Sequence, residues 1–328
     1  MTEGAMNGMN RSCLYSMLLS QLHGTCTPLH FLKNQRSRRA KRPPKVAAKQ
    51  NSGPSPLHNN AIMSRFSFLV LLSFLLFVSC GRYQAAEDFS ASDSTPDPNE
   101  LSEEILRTIR AGQDATAMID QLAAYEPSQL VAALQTREEK LAFWVNVYNG
   151  VVQHLLINDP SLYDDRSSFF SGDLFTVAGH TMSPNDLEHG IIRGGENRLG
   201  LGIIPQFFQN KFERTFKIKG GDSRIHFALN CGAADCPPVA VYSPETYHEQ
   251  INESTRKYLA KHSEIKTEDG KEVLYTSPLF SWFRGDFADR GGIDDFLVEF
   301  GVVPAEKEDI KREYTDYDWT LKTGIWAE

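Results

Sequence analysis

The amino-acid sequence predicts an α+β fold, a single mixed domain in which N-terminal helices are followed by a small sheet with interspersed helices. Three observations support this class. Apolar residues recur with helical spacing in the first part of the domain, short strand-like runs bounded by turn residues follow, and helical patterns return between them. Some 230 residues from about residue 100 contain no second linker and no internal repeat, which suits one domain with a core of its own.

Three segments precede the expected domain, 100–328. Residues 1–62 carry nine Lys/Arg and one acid, and we interpret them as a disordered basic extension or as an over-long start-site assignment. Met63 opens a complete export signal, 63–79, whose apolar run is too short to span a membrane. Small residues before Cys80 resemble a lipobox, so we expect Cys80 to be lipidated and 80–99 to be a tether. The expected location is the bacterial cell envelope, as a lipid-anchored protein facing the periplasm or the surface.

Without its first 79 residues the chain is strongly acidic, with 24 Lys/Arg against 41 Asp/Glu and a formal charge of −17. This charge argues against nucleic acid as a partner and against an electrostatic attachment to anionic lipid. A small-molecule or peptide ligand is left open, and so is the oligomeric state.

The elements follow in order. Leu101, Ile105 and Ile109 share one helical face, and a second helix is expected at 117–124. The clearest helix, 136–156, begins with the capping box Thr136/Glu139 and has a buried face with i+3/i+4 spacing. That face comprises Leu141, Trp144, Val145, Tyr148, Val152 and Leu155.

Residues 174–182 predict a hairpin that turns at Ala178-Gly179. Ser183-Pro184 begins a helix that ends at Gly194-Gly195. We expect a strand at 224–229, a helix from Ser243-Pro244 to about His262, a strand near 273–275, and helices at 279–283 and 294–300.

The segment 224–238 concentrates candidate chemistry, because an apolar run with His226 leads into a loop that holds Cys231 and Cys236. If Cys231 is a nucleophile, the turn at Asn230 exposes backbone N–H groups that are suited to an oxyanion hole. In an exported protein the same two cysteines form a natural disulfide. An unbroken strand would put His226 on the opposite face from Cys231, so His226 is a candidate base whose position depends on the turn.

Two further groups of polar residues are candidates. Glu188 and His189 lie in the helix before Gly194, and Arg193 is four residues after His189, so this cluster can orient a base or hold a carboxylate. Asn146, Asn149 and Gln153 line one stripe of the 136–156 helix. Those amides either bind a substrate or the end of the Cys loop, or tie the helix to neighbouring backbone.

No cofactor and no metal site is expected. Cys-x4-Cys is not the tight spacing of a zinc site and lacks a second ligand pair, and the glycine pairs indicate turns rather than a phosphate loop.

Four motifs in order resemble the family catalogued as domain of unknown function 547, over about residues 130–300. They are Ala142-Phe-Trp-Val-Asn146-Val-Tyr-Asn149, Asp186-Leu-Glu188-His189-Gly-Ile-Ile-Arg193, Ile225-His226-Phe-Ala-Leu-Asn-Cys231-Gly-Ala-Ala-Asp-Cys236-Pro-Pro and Ser281-Trp282-Phe-Arg-Gly-Asp286-Phe. The resemblance implies no settled reaction. Some members carry serine at the positions of Cys231 and Cys236, which favours His226, Asn146 and Asn149 as site residues.

Two functions are compatible with these patterns. The first is a thiol-dependent hydrolase or acyl/peptidyl transferase of the cell envelope, with Cys231 as nucleophile, His226 or His189 as base, and Asn230, Asn146 or Asn149 as orienting residues. The second is a non-catalytic envelope binding or scaffold module in which Cys231 and Cys236 form a structural disulfide.

Overall fold

The computed structural model describes residues 96–307 and 310–328. The expectations for the basic extension, the signal, Cys80 and most of the tether lie outside these residues. The α-helices of the described part are α1 (Pro98–Arg110), α2 (Thr116–Ala124), α3 (Pro127–Ala133), α4 (Arg137–Asn158), α5 (Arg166–Ser171), α6 (Lys211–Phe216), α7 (Tyr247–His262), α8 (Leu279–Trp282) and α9 (Ile293–Glu299). The strands are β1 (Phe175–Val177), β2 (His180–Met182), β3 (Glu264–Glu268), β4 (Lys271–Thr276) and β5 (Lys311–Tyr314).

Helix α4 forms the centre of the larger hydrophobic core. Its capping box is present, with the Thr136 N–H donating to Glu139 Oε2 at 2.6 Å and the Glu139 N–H donating to Thr136 Oγ1 at 3.2 Å. The expected face is buried except for Leu155, which is half-buried, and the remaining faces are largely buried as well. A helix that is buried on most of its faces belongs in the interior, and α1 packs along it through its own predicted face.

Two small sheets accompany the helices. Strands β1 and β2 form the predicted antiparallel hairpin, and both turn residues, Ala178 and Gly179, have positive φ (49° and 69°). In the second sheet β4 lies between β3, which is antiparallel to it, and β5, which is parallel to it. The predicted α+β class is therefore confirmed. No helix in the described part of the chain is long and apolar enough to cross a membrane.

The predicted strand at 224–229 is wrong, because Ser223–Phe227 is a 3₁₀ helix. The Asp222 side chain accepts from the Arg224 N–H and forms an ion pair with the Arg224 guanidinium at 2.6 Å. These contacts stabilise a helical turn instead of an extended chain. Ile225 packs into the core around α4, whereas Phe227 packs into a second core, half of whose buried residues are aromatic. Burial on all sides removes the polar alternation that distinguishes a strand from a helix.

The predicted helix after Ser183-Pro184 is present, but Asp186–Ile192 is wound as a π-helix. A π-helical turn inside a helix often accompanies a functional site. Here it carries Glu188 and His189 to the wall of a cavity.

Candidate functional site

A cavity of about 290 Å³ lies where the π-helix, the 3₁₀ helix Ser223–Phe227 and residues 317–319 near the C-terminus meet. Its aromatic lining consists of Tyr148, Phe170, Trp282, Phe283, Tyr317 and Trp319. The ionisable groups that line it besides the tyrosines are Arg166, Glu188, His189, Arg198 and His226. An apolar cavity with a few convergent polar groups is the common form of a small-molecule site.

Four side chains beside this cavity form one continuous hydrogen-bonded network. Asp286 Oδ2 lies 2.8 Å from His226 Nε2. The same carboxylate accepts from Arg193 Nε at 2.7 Å and from a terminal Arg193 nitrogen at 2.8 Å. The other terminal nitrogen of Arg193 lies 2.8 Å from His189 Nδ1. The network therefore runs from His189 through Arg193 and Asp286 to His226.

The protonation of both imidazoles follows from their partners. Burial by itself raises the pKa of Asp286, but the hydrogen bonds from His226 and Arg193, together with the positive charge of Arg193, outweigh burial and hold this pKa well below its usual value. An ionised carboxylate only accepts, so His226 Nε2 carries a proton and its N–H donates a hydrogen bond to Asp286. This leaves Nδ1 as the nitrogen of His226 that can accept a proton from a ligand.

His189 has the opposite arrangement. Arginine only donates, so His189 Nδ1 accepts and the proton of the neutral ring is on Nε2. Burial lowers the pKa of His189 to about 4; Glu188 opposes this shift, and Arg193 adds to it. His189 is therefore a neutral hydrogen-bond donor near pH 7.

Phe283 packs against two members of the network, His226 and Arg193. Its ring stacks on His226 with centroids 3.9 Å apart and planes 13° apart. The Arg193 guanidinium carbon lies 4.8 Å from the centre of the same ring. The imidazole and the guanidinium thus each have one face covered by an aromatic ring, which restricts their movement and excludes water from them.

Residues 201–202 close over the same carboxylate. The Gly285 N–H donates to Leu201 O at 2.8 Å, and a Cβ on Gly202 would lie 1.9 Å from Asp286 Oδ1. Gly202 has a φ of +75°, so glycine is needed here both for the backbone conformation and for space. The position of this loop is therefore coupled to that of Asp286.

Cys231 and Cys236 form a disulfide, with Cα atoms 6.2 Å apart. A thiolate at Cys231 would first require reduction of this bond, so the structure contains the disulfide that the second hypothesis assumes. The backbone N–H groups proposed as an oxyanion hole are also occupied. The Cys231 N–H donates to Cys236 Sγ at 3.1 Å, and the Gly232 N–H donates to Asn230 Oδ1 at 2.9 Å.

The buried asparagines bind the backbone. Asn146 Nδ2 donates to Tyr242 O at 2.7 Å, and Asn149 Nδ2 donates to Ala228 O at 3.0 Å. Asn149 Oδ1 accepts from the Asn230 N–H at 2.8 Å, and Asn230 Nδ2 donates to Pro237 O at 2.7 Å. None of these asparagines lines the cavity. Their assignment to substrate binding is corrected: they attach α4 to the disulfide loop and its neighbouring backbone.

The structure brings the four catalytic candidates Cys231, His226, His189 and Glu188 to one cavity. The expectation that His226 and Cys231 point to opposite faces depended on an unbroken strand. It does not hold, because Ser223–Phe227 is a 3₁₀ helix. Arg193 is committed to Asp286 and His189, so it positions these groups instead of binding a substrate.

Sequence reasoning missed the role of Asp286, although this residue lies in the fourth quoted motif. It also missed the cationic side chains of Arg166 and Arg198 and the aromatic lining.

Within the described residues, no three His, Cys, Asp or Glu side chains are grouped so that they could hold a metal ion.

Comparison with known families agrees with the motifs. Residues 121–259 match the family model described as "Protein of unknown function, DUF547". This range contains His189, Arg193 and His226, whereas Asp286 lies beyond it. The chain has no significant match among the curated proteins or among the solved structures. The resemblance inferred from the motifs is thereby confirmed for residues 121–259, which contain the first three motifs and match the DUF547 family model, whereas the fourth motif lies beyond the match.

Proposed function

We propose that the domain is a hydrolase of the cell envelope in which His226, oriented by Asp286, acts as the general base on a bound water molecule. The observation that carries this proposal is the 2.8 Å hydrogen bond between His226 Nε2 and Asp286 on the wall of an aromatic cavity. A buried carboxylate that holds one imidazole nitrogen selects the tautomer whose other nitrogen accepts a proton.

The reaction follows from the two imidazoles. His226 Nδ1 accepts a proton from water as the water oxygen bonds to the carbonyl carbon of an ester or amide. His189 Nε2–H donates a hydrogen bond to the carbonyl oxygen as negative charge develops on it. The bond to the leaving group then breaks, and His226 returns the proton to that group. A neutral imidazole suits the donor role, and burial keeps His189 neutral.

The lining indicates the kind of substrate. Trp282 and Trp319 are stacked with centroids 5.6 Å apart and offer a flat surface for an apolar acyl or aryl group. Arg166 lies 5.3 Å from the centre of the Trp319 ring and can hold a carboxylate or phosphate at the same wall. An ester or amide with an apolar part and an anionic group fits this arrangement.

Location in the envelope is part of the proposal and rests on the export signal and on Cys80. Mass spectrometry of the protein purified from its host membrane tests it. A diacylglyceryl group on an N-terminal Cys80 is expected, and an unmodified residue at that position contradicts the anchor.

The catalytic proposal is tested with p-nitrophenyl butyrate as the probe. We expect His226→Gln to lower kcat/KM by about 100-fold or more, because it removes the general base. The Cys231→Ser/Cys236→Ser variant is the matched control and keeps its activity if the disulfide is structural. Loss of that disulfide destabilises the fold by about 2 kcal/mol, since it closes only a short loop.

The outcomes separate the candidate mechanisms. Hydrolysis that survives His226→Gln contradicts the acid–base mechanism. Labelling of native Cys231 by iodoacetamide, together with loss of hydrolysis in Cys231→Ser, establishes the thiol-dependent mechanism instead.

A non-catalytic binding module is the second candidate, and the disulfide favours it because that bond leaves the loop without a free thiol. It predicts quenching of Trp282 and Trp319 fluorescence by p-nitrophenol-based ligands without any turnover by the wild-type protein.

A further inference from the structure

An exposed apolar segment, residues 199–208, lies beside the cavity. Seven large hydrophobic side chains are exposed in the described part of the chain, and five of them belong to this segment. They are Leu199, Ile203, Ile204, Phe207 and Phe208. Phe208 is 94% exposed and Phe207 76%, so neither ring is covered by the domain. Isolated exposed hydrophobic residues are ordinary, whereas a contiguous group marks a binding surface for a protein or a membrane.

The segment is held in shape at its base, which shows that its exposure belongs to the fold. The Asn197 N–H donates to Ile204 O at 2.9 Å, and the Gln206 N–H donates to Gly195 O at 2.7 Å. The bond from Gly285 N–H to Leu201 O fastens the middle of the segment to the cavity side of the domain. The apolar side chains therefore project from a supported loop.

The surrounding charge identifies the kind of surface that fits. Residues 196–219 carry five Lys/Arg and two Glu, a formal charge of +3, in a mature chain whose formal charge is −17. Apolar and aromatic side chains flanked by basic ones are typical of a segment that enters the interface of an anionic bilayer. A second copy that bound through the same segment would bring two regions of formal charge +3 together, so it is a poorer partner than an anionic surface.

We propose that residues 199–208 dock the domain on an anionic phospholipid bilayer, with Phe207 and Phe208 entering the interface. Only fifteen residues separate Cys80 from Pro96, the first described residue. That stretch spans at most about 55 Å, so a lipid on Cys80 would keep the domain within reach of the surface.

Docking in this orientation places the cavity next to the bilayer. Arg198, Leu199 and Leu201 line the cavity and belong to or adjoin the docking segment. An amphiphilic molecule in the membrane would thus have a short path to the aromatic lining. The docking itself does not depend on whether the cavity catalyses hydrolysis.

The experiment uses the full chain with Phe208→Trp, reconstituted in vesicles of phosphatidylethanolamine and phosphatidylglycerol with brominated acyl chains. The matched control is Tyr314→Trp, since Tyr314 is an exposed aromatic residue on β5, outside the segment. Both variants share the four native tryptophans, whose signal is subtracted with the wild-type chain. We expect bromine to quench the introduced tryptophan of Phe208→Trp at least about twofold more than that of Tyr314→Trp, because only an inserted ring meets the acyl chains.

Replacing phosphatidylglycerol by phosphatidylcholine, or adding about 1 M NaCl, should remove most of this difference, since the Debye length is then about 3 Å. A Phe207→Ser/Phe208→Ser variant should keep its circular dichroism spectrum and lose the vesicle protection of residues 199–208 from hydrogen exchange. Equal quenching of the two tryptophan variants overturns the proposal. So does a dimer in sedimentation without lipid that Phe207→Ser/Phe208→Ser dissociates, because the segment then binds a second copy.

Discussion

Asp286 is expected to contribute more to stability than Asp289, the other carboxylate in the 3₁₀ helix Asp286–Arg290. Replacing it with asparagine keeps the size of the side chain but removes the negative charge that neutralises Arg193. The Arg193 side chain is 1% exposed and makes two hydrogen bonds to this carboxylate, at 2.7 and 2.8 Å. The substitution therefore leaves a buried guanidinium without its counter-ion.

Removing one partner of a buried ion pair costs about 3–5 kcal/mol. We expect Asp286→Asn to lower the free energy of unfolding by this amount. Urea denaturation of the full chain, followed by far-ultraviolet circular dichroism, measures it as a shift of the midpoint at an unchanged slope.

Asp289→Asn is the matched control, because Asp289 lies in the same 3₁₀ helix and is exposed. Its carboxylate accepts from the Ser223 N–H and hydroxyl, so we expect a cost of only about 1 kcal/mol. The Arg193→Met/Asp286→Leu variant should regain most of the stability lost in Asp286→Asn, since apolar replacements remove both charges. If Asp286→Asn costs no more than Asp289→Asn, the network does not carry the charge balance described here.

Two further predictions concern the same network. The pKa of His189 is lowered to about 4, so between pH 6.5 and 4 the unfolded chain binds more protons than the folded one. His189 therefore contributes about 3 kcal/mol to the free energy of unfolding above pH 6.5. This contribution is lost as the pH falls from 6.5 to 4. The urea denaturation midpoints of the wild-type protein and of His189→Gln, measured at several pH values, isolate this contribution. If the two midpoints change with pH in parallel, the prediction is contradicted. Gly202→Ala should cost about 2–4 kcal/mol and reduce p-nitrophenyl butyrate hydrolysis, because its Cβ meets Asp286. Gly112→Ala, at φ +69° with nothing within 4 Å, should cost only about 1 kcal/mol of backbone strain, and equal losses in the two variants would show that the contact with Asp286 is unimportant.

Elements with a strong local signal were predictable from the sequence. The capping box and apolar periodicity of α4, the Ala178-Gly179 turn, and the helix that ends at His262 all lie where their patterns place them. Strands β3 and β5 were not predicted, because their side chains are mostly exposed or half-buried and give no apolar pattern. Their strand conformation comes from pairing with β4. The segment Ser223–Phe227 was assigned wrongly because it is buried between two cores.

The candidate site shows the same division. Residues close together in the chain, such as His189 and Arg193, were expected as a pair, and their side chains do meet. Asp286 lies 60 residues from His226 and 93 from Arg193, so no spacing rule connects it with either. The amides of α4 were left open between ligand and backbone, and the buried contacts assign them to backbone.

By itself the sequence determined the family match of residues 121–259, the α+β class and the short segments in which the histidines and cysteines lie, and it predicted the export signal. Periodicity, caps and motifs are local properties, and local properties can be read along a chain. Only the tertiary structure decided that Asp286 joins His226 to Arg193, that the cysteines are bonded, and that an exposed apolar segment borders the cavity. These features depend on which distant side chains share a low-dielectric interior and which remain in water, and packing alone settles that.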